Sequence, residues 1–108
     1  MNYRITNELV EGLRDIFNDR LISIILYGSV ARGTDTVDSD VDIAIIIKDA
    51  KDQSLQDKLI DFTLDMDLKY DKVFSVIDID YNEYTKWEDV LPFYKNVKKD
   101  GVVLWEAA

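Results

Sequence analysis

Apolar positions along the chain change their period several times, and each change predicts an element. From Thr6 to about Arg20 they recur as Leu9, Leu13, Ile16 and Phe17, one stripe of an amphipathic helix. Leu21–Tyr27 is a continuous β-branched and apolar run that stops at Gly28, which predicts a buried strand. Gly28–Ser39 reads as a polar connection, and Val41–Ile47 as a second buried strand. After a polar stretch, Leu55, Leu59, Phe62 and Met66 keep helical register from about Ser54 to Leu68. Lys72–Ile79 predicts a third strand, Glu83–Glu88 a short helix, and Pro92 the first turn of another. Gly101 suits the stop of that helix, and Val102–Trp105 a last short strand. This order predicts an α/β (α+β) fold, a small mixed sheet covered by helices in a single domain over residues 1–108.

Composition narrows the chemistry. With no histidine and no cysteine, there is no imidazole base, no thiol nucleophile, no disulfide and no His- or Cys-ligated transition metal. Any metal must be held by oxygen, which points to magnesium, manganese or calcium. A net charge of −9 argues against direct nucleic-acid binding and favours a basic protein partner. The apolar runs are too short to span a bilayer and the first residues do not read as a signal peptide, so a cytoplasmic location is expected.

The 17 aspartates make chance Asp-x-Asp pairs common, and four occur: Asp38/Asp40, Asp40/Asp42, Asp65/Asp67 and Asp78/Asp80. Only one has informative surroundings. Gly28-Ser29 ends one strand, ten residues intervene, and Asp40-Val41-Asp42 opens the next. Residues two apart on a strand project from one face, so the two carboxylates repel unless a cation joins them. A pair of divalent ions held there could clamp both oxygens of a phosphoryl displacement. Gly28, lacking Cβ, lets backbone N–H groups approach a polyphosphate; Ser29 adds a hydroxyl and Arg32 a fixed cation. Singly, Gly28, Ser29, Arg32 and Asp40 read equally well as turn, cap or surface residues. Asp42 does not, because a carboxylate at the mouth of an apolar strand is costly unless paired or metal-bound. A calcium loop starting at Asp38 fails, since Ile43 stands where glycine is needed and Asp49 where glutamate is needed.

Leu26-Tyr27-Gly28-Ser29-Val30-Ala31-Arg32-Gly33 followed by Asp38-Ser39-Asp40-Val41-Asp42-Ile43 resembles the minimal nucleotidyltransferase (MNT) family of the DNA polymerase beta-like superfamily. Lys69-Tyr70-Asp71 and Leu91–Val97 extend the likeness over nearly the whole chain. The resemblance implies nucleotidyl transfer from ATP with two magnesium ions and release of pyrophosphate. It makes Asp40 and Asp42 the paired metal ligands and Gly28 and Ser29 the triphosphate-binding pair. A third carboxylate is implied at the third strand; Asp71, Asp78 and Asp80 compete, and Asp71 is preferred because it is expected to open that strand. Members of this size often accompany a HEPN-domain toxin, a ribonuclease, whose tyrosine they are thought to modify with AMP as its antitoxin. A silent antitoxin acting by contact, and a subunit of a small-molecule nucleotidyltransferase, are the alternatives.

Overall fold

Asn2 fixes where the chain first becomes helical. Its side chain accepts a hydrogen bond from the Ile5 N–H at 2.9 Å, so helix α1 spans Tyr3–Phe17 and starts ahead of the expected Thr6. Ile5, Leu9, Leu13 and Phe17, each four residues apart, are buried on one face. A 3-10 turn, Asn18–Arg20, reverses the chain into β1, Leu21–Tyr27. The computed structural model describes residues 1–49 and 52–108, so the polar stretch before the third helix lies partly outside the described residues.

β1 pairs antiparallel with β2 (Val41–Ile47) on one side and with β4 (Val102–Glu106) on the other, while β3 (Phe74–Asp80) pairs parallel with β2. The four-stranded sheet runs β3-β2-β1-β4, and it is mixed, as the order of elements predicts. The parallel step is bridged by α3, Gln53–Tyr70, which Asp52 caps by accepting from the Leu55 N–H.

Alternation along the strands gives the sheet two apolar faces. Val41, Ile43, Ile45 and Ile47 of β2 pack with Leu9, Leu13 and Phe17 of α1 and Leu59 and Met66 of α3 in the larger core. Ala44 and Ile46, one position along, join Ile25, Ile79 and Val97 in a smaller one. The second face is covered by α4 (Tyr81–Trp87) and α5 (Pro92–Asp100), and Tyr27, Tyr84 and Tyr94 pack at its border.

Several boundaries differ from the sequence expectation for physical reasons. The connection after Gly28 opens with a short helix, α2, over Gly28–Arg32, ended by Gly33 in the left-handed region (φ 72°). β3 begins at Phe74 rather than Lys72, because α3 continues to Tyr70 and ends on Asp71, which is left-handed (φ 51°). α4 starts at Tyr81, capped by the Asp80 side chain. Gly101 does stop α5, but its backbone is extended; a Cβ there would lie 2.2 Å from the Val97 carbonyl oxygen and 2.5 Å from Ile25. Close approach, not handedness, selects glycine at that point. Among the described residues no helix is long and apolar enough to cross a membrane.

Candidate active site

Because β1 and β2 are antiparallel, the end of the first meets the beginning of the second, and Tyr27 stands across from Asp42. The next residue, Gly28, has φ 77°, which turns the chain out of the strand into α2. The Asp42 carboxylate fills the space that a side chain on Gly28 would need. A Cβ there would sit 2.3 Å from Asp42 Oδ2 and 3.2 Å from its Cγ. Gly28 is thus required twice, by its backbone angle and by the acid lying against it.

Asp40 is exposed just before β2 begins, and Asp42 is half-buried one residue inside the strand. Burial, and then the charge of Asp40, hold the Asp42 carboxyl above the usual carboxylate range; Arg32, in the last turn of α2, pulls the other way. The motif residues Gly28, Ser29, Arg32, Asp40 and Asp42 therefore lie around one end of the β1–β2 pair. Two mutually repelling carboxylates with hard oxygen donors fit an oxygen-preferring divalent cation. Asp40 and Asp42 are the residues that would hold it.

The expected place of Asp71 in the fold is a correction. Asp71 does not open β3; it caps the end of α3, where its own N–H donates to the Asp67 carbonyl. It shares a cleft of about 250 Å³ with Asp38, Asp40, Asp67 and Lys72, and Asp42 does not line that cleft. Asp78 and Asp80 stand beside Ile45 and Ile47, residues of the larger core, so alternation puts both on the face opposite to Asp42. On β3 the position paired with Asp42 is Ser75. Among the described residues no group of three acidic side chains converges to hold a metal ion.

Residues 7–104 match the family model described as the nucleotidyltransferase domain. The chain belongs to that family. Two chains of Methanocaldococcus jannaschii, both named "Putative protein adenylyltransferase", are similar to this nucleotidyltransferase. One is 35% identical over 101 residues, covering 91% of this chain and 92% of its own length. The other is 36% identical over 73 residues, covering 68% and 74%. The fold is shared with a chain of the crystal structure of a toxin–antitoxin with AMP-PNP, at TM-score 0.65 and 24% identity over 94% of this chain and 73% of that one. It is shared too with a chain of a tri-AMPylated HEPN toxin of Shewanella oneidensis in complex with an MNT antitoxin. There the TM-score is 0.60 and the identity 21%, over 99% and 74% of the two chains.

Two aromatic residues beside the nucleotidyltransferase motif were not among the expected site residues. Burial, and then the charge of Asp42, push the Tyr27 phenol above its ordinary pKa, and its ring meets Phe93 edge-on with centroids 5.6 Å apart. Phe93 follows Pro92 in the first turn of α5 and is 42% exposed. Tyr27 is visible in the sequence as the last residue before the glycine; Phe93 has no local signal and is brought there only by the packing of α5. A cleft of about 730 Å³ is lined by Arg14, Asp15, Asp19, Lys48 and Trp105 among others and contains none of the motif residues. We place the chemistry with the motif, where like charges are held together, and not with the larger volume.

Proposed function

We propose that this chain transfers AMP from ATP, with a divalent metal such as magnesium, to a tyrosine of a HEPN-domain toxin and so acts as its antitoxin. The observation carrying the reading is the contact of the Asp42 carboxylate with the Gly28 backbone. It brings the acid that would hold a metal to the strand end where a triphosphate would be received. The names of the similar chains, and the toxin–antitoxin assemblies that share the fold, support the acceptor and the partner. Asp40 and Asp42 would hold the metal, which when bound draws charge from the transferring phosphoryl group. Gly28 and Ser29 would receive the triphosphate, with Arg32 offsetting its charge. The tyrosine oxygen bonds to the α-phosphorus, the α–β bridging bond breaks, pyrophosphate leaves, and the phenolic proton passes to solvent. Any second ion would take further oxygens from phosphate and water.

A contact-only antitoxin is the second reading, favoured by the pairing of Asp42 with Ser75, not with an acid, on β3. Mass spectrometry of a HEPN toxin incubated with ATP, magnesium and this chain separates the two. Transfer predicts the mass of one AMP or more added by the wild type and, after Asp42→Asn, a rate lower by at least about 10²-fold. Protection of cells by Asp42→Asn equal to wild type, with no mass shift from either protein, would establish the contact-only reading instead.

A further inference from the structure

Helix α3 is apolar on two sides. Leu55, Leu59, Phe62 and Met66 face the larger core, yet Ile60, Leu64 and Leu68 form a second line at four-residue spacing. These three are 44%, 54% and 84% exposed, increasing toward the helix end. An exposed line of three large aliphatic side chains on one helix is a contiguous apolar strip of the kind that contact surfaces use. Asp57, Asp61 and Asp65, all exposed, run beside it, and nothing in the larger core requires either line. The helix lies on the sheet face opposite to the one bearing Asp42, so the surface is separate from the candidate active site.

The acidic line decides what can cover the apolar one. Two copies of this chain pairing these helices antiparallel about a two-fold axis would set aspartates against aspartates on the same flank. A net charge of −9 adds to that repulsion. We propose that α3 docks an amphipathic helix of a different protein, one whose apolar stripe is flanked by lysine or arginine. Ile60, Leu64 and Leu68 enter its stripe, and Asp57, Asp61 and Asp65 pair with its basic flank. This surface does not depend on the transfer chemistry of the site.

The test uses the full chain and a labelled helical peptide of leucine and lysine, with leucines at helical spacing, followed by fluorescence anisotropy. Saturable binding is expected, weakened at least about tenfold by Leu64→Glu and likewise by the joint Asp61→Lys, Asp65→Lys change. It should weaken from about 50 mM to about 300 mM salt, as partly exposed ion pairs do. A peptide with glutamate in place of lysine, or with its leucines scrambled, should bind at least about tenfold less. Binding should be unchanged by Asp42→Asn, so a failed AMP transfer and a failed docking surface are told apart. Leu64 is largely exposed, and circular dichroism should show Leu64→Glu folded. Absence of saturable binding, or equal binding to Leu64→Glu, would overturn the proposal. So would sedimentation showing a wild-type dimer that Leu64→Glu dissolves, which would make a second copy the occupant. Flotation with phosphatidylcholine vesicles that Leu64→Glu abolishes would make it a membrane.

Discussion

The two faces of the sheet are built from the same strands and do different work. On the face under α1 and α3, β2 contributes Val41, Ile43, Ile45 and Ile47, which pack against buried leucines and Phe17. On the other face the same strand contributes Asp42, Ala44 and Ile46, the core is five of the described residues, and three tyrosines and two isoleucines border it. Burying each large aliphatic side chain of the first face contributes about 1.5–3 kcal/mol. The second face forgoes part of that stabilisation to hold a carboxylate whose ionisation its surroundings disfavour. A strand buried on both sides can carry such a residue only at its end, where water and ligands reach it. That is where Asp42 lies.

The contrast breaks if the faces contribute equally. Leu13→Ala on the first face should cost about 2–5 kcal/mol of unfolding free energy in urea, a large part of the roughly 5–15 kcal/mol available to a domain. Val97→Ala on the second, which removes fewer methylene equivalents, should cost about 2 kcal/mol. Equal losses would mean that the smaller core is as stabilising as the larger.

A sharper probe lies at the two left-handed glycines flanking α2. Gly33→Ala meets no atom within 4 Å, so only its backbone angle is penalised, about 1 kcal/mol. Gly28→Ala carries the same angular penalty and also drives a methyl into the Asp42 carboxylate. It should cost about 1–3 kcal/mol and, unlike Gly33→Ala, remove magnesium-dependent nucleotide binding measured by calorimetry. Similar binding by the two variants would sever Gly28 from Asp42.

What could be read from the sequence follows the same division. Strands β1 and β2 were legible because burial on both faces leaves continuous apolar runs, and the Gly28-Ser29 to Asp40/Asp42 spacing followed from where those runs stop. The placement of Asp71, Asp78 and Asp80 was not, because it depends on where β3 begins and on its register with β2. Asp71 lies outside the strand because α3 ends on it, and a one-residue alternation sends Asp78 and Asp80 to the face opposite to Asp42. Short α2 was hidden too, since five polar and small residues carry no apolar period. Its existence depends on the two glycines turning the chain at either end.

Ser75 offers a direct way to complete the acidic site. Ser75→Asp would place a third carboxylate across from Asp42. Without metal the added repulsion should lower the melting temperature slightly at neutral pH, and the loss should fade as the pH falls and the acids protonate. With manganese, calorimetry should show tighter binding than in wild type, because a cation gains an oxygen ligand. If binding is unchanged, Ser75 does not face the metal that Asp40 and Asp42 would hold.

The smallest effect is expected on the other side of the sheet from Asp42, where α1 meets the end of α3. Glu8 accepts hydrogen bonds from the Lys69 ammonium and the Tyr70 hydroxyl, and these, with the nearby charges, hold its carboxyl below the usual range. A depressed carboxyl contributes stability that is complete above its unfolded pKa and is lost as the pH falls through its folded one. Lys69 and Tyr70 are raised by the same contact, so their share is present at neutral pH and lost in alkali. Melting curves at neutral pH and about pH 3.5 should therefore fall further for wild type than for Glu8→Gln. The difference should shrink as salt is added, because the pair is exposed and screened. If the two proteins fall in parallel, the ion pair contributes nothing measurable. The α1–α3 contact would then rest on Gly12, where a Cβ would lie 2.1 Å from the Phe62 ring, so that apolar packing alone holds the first face together.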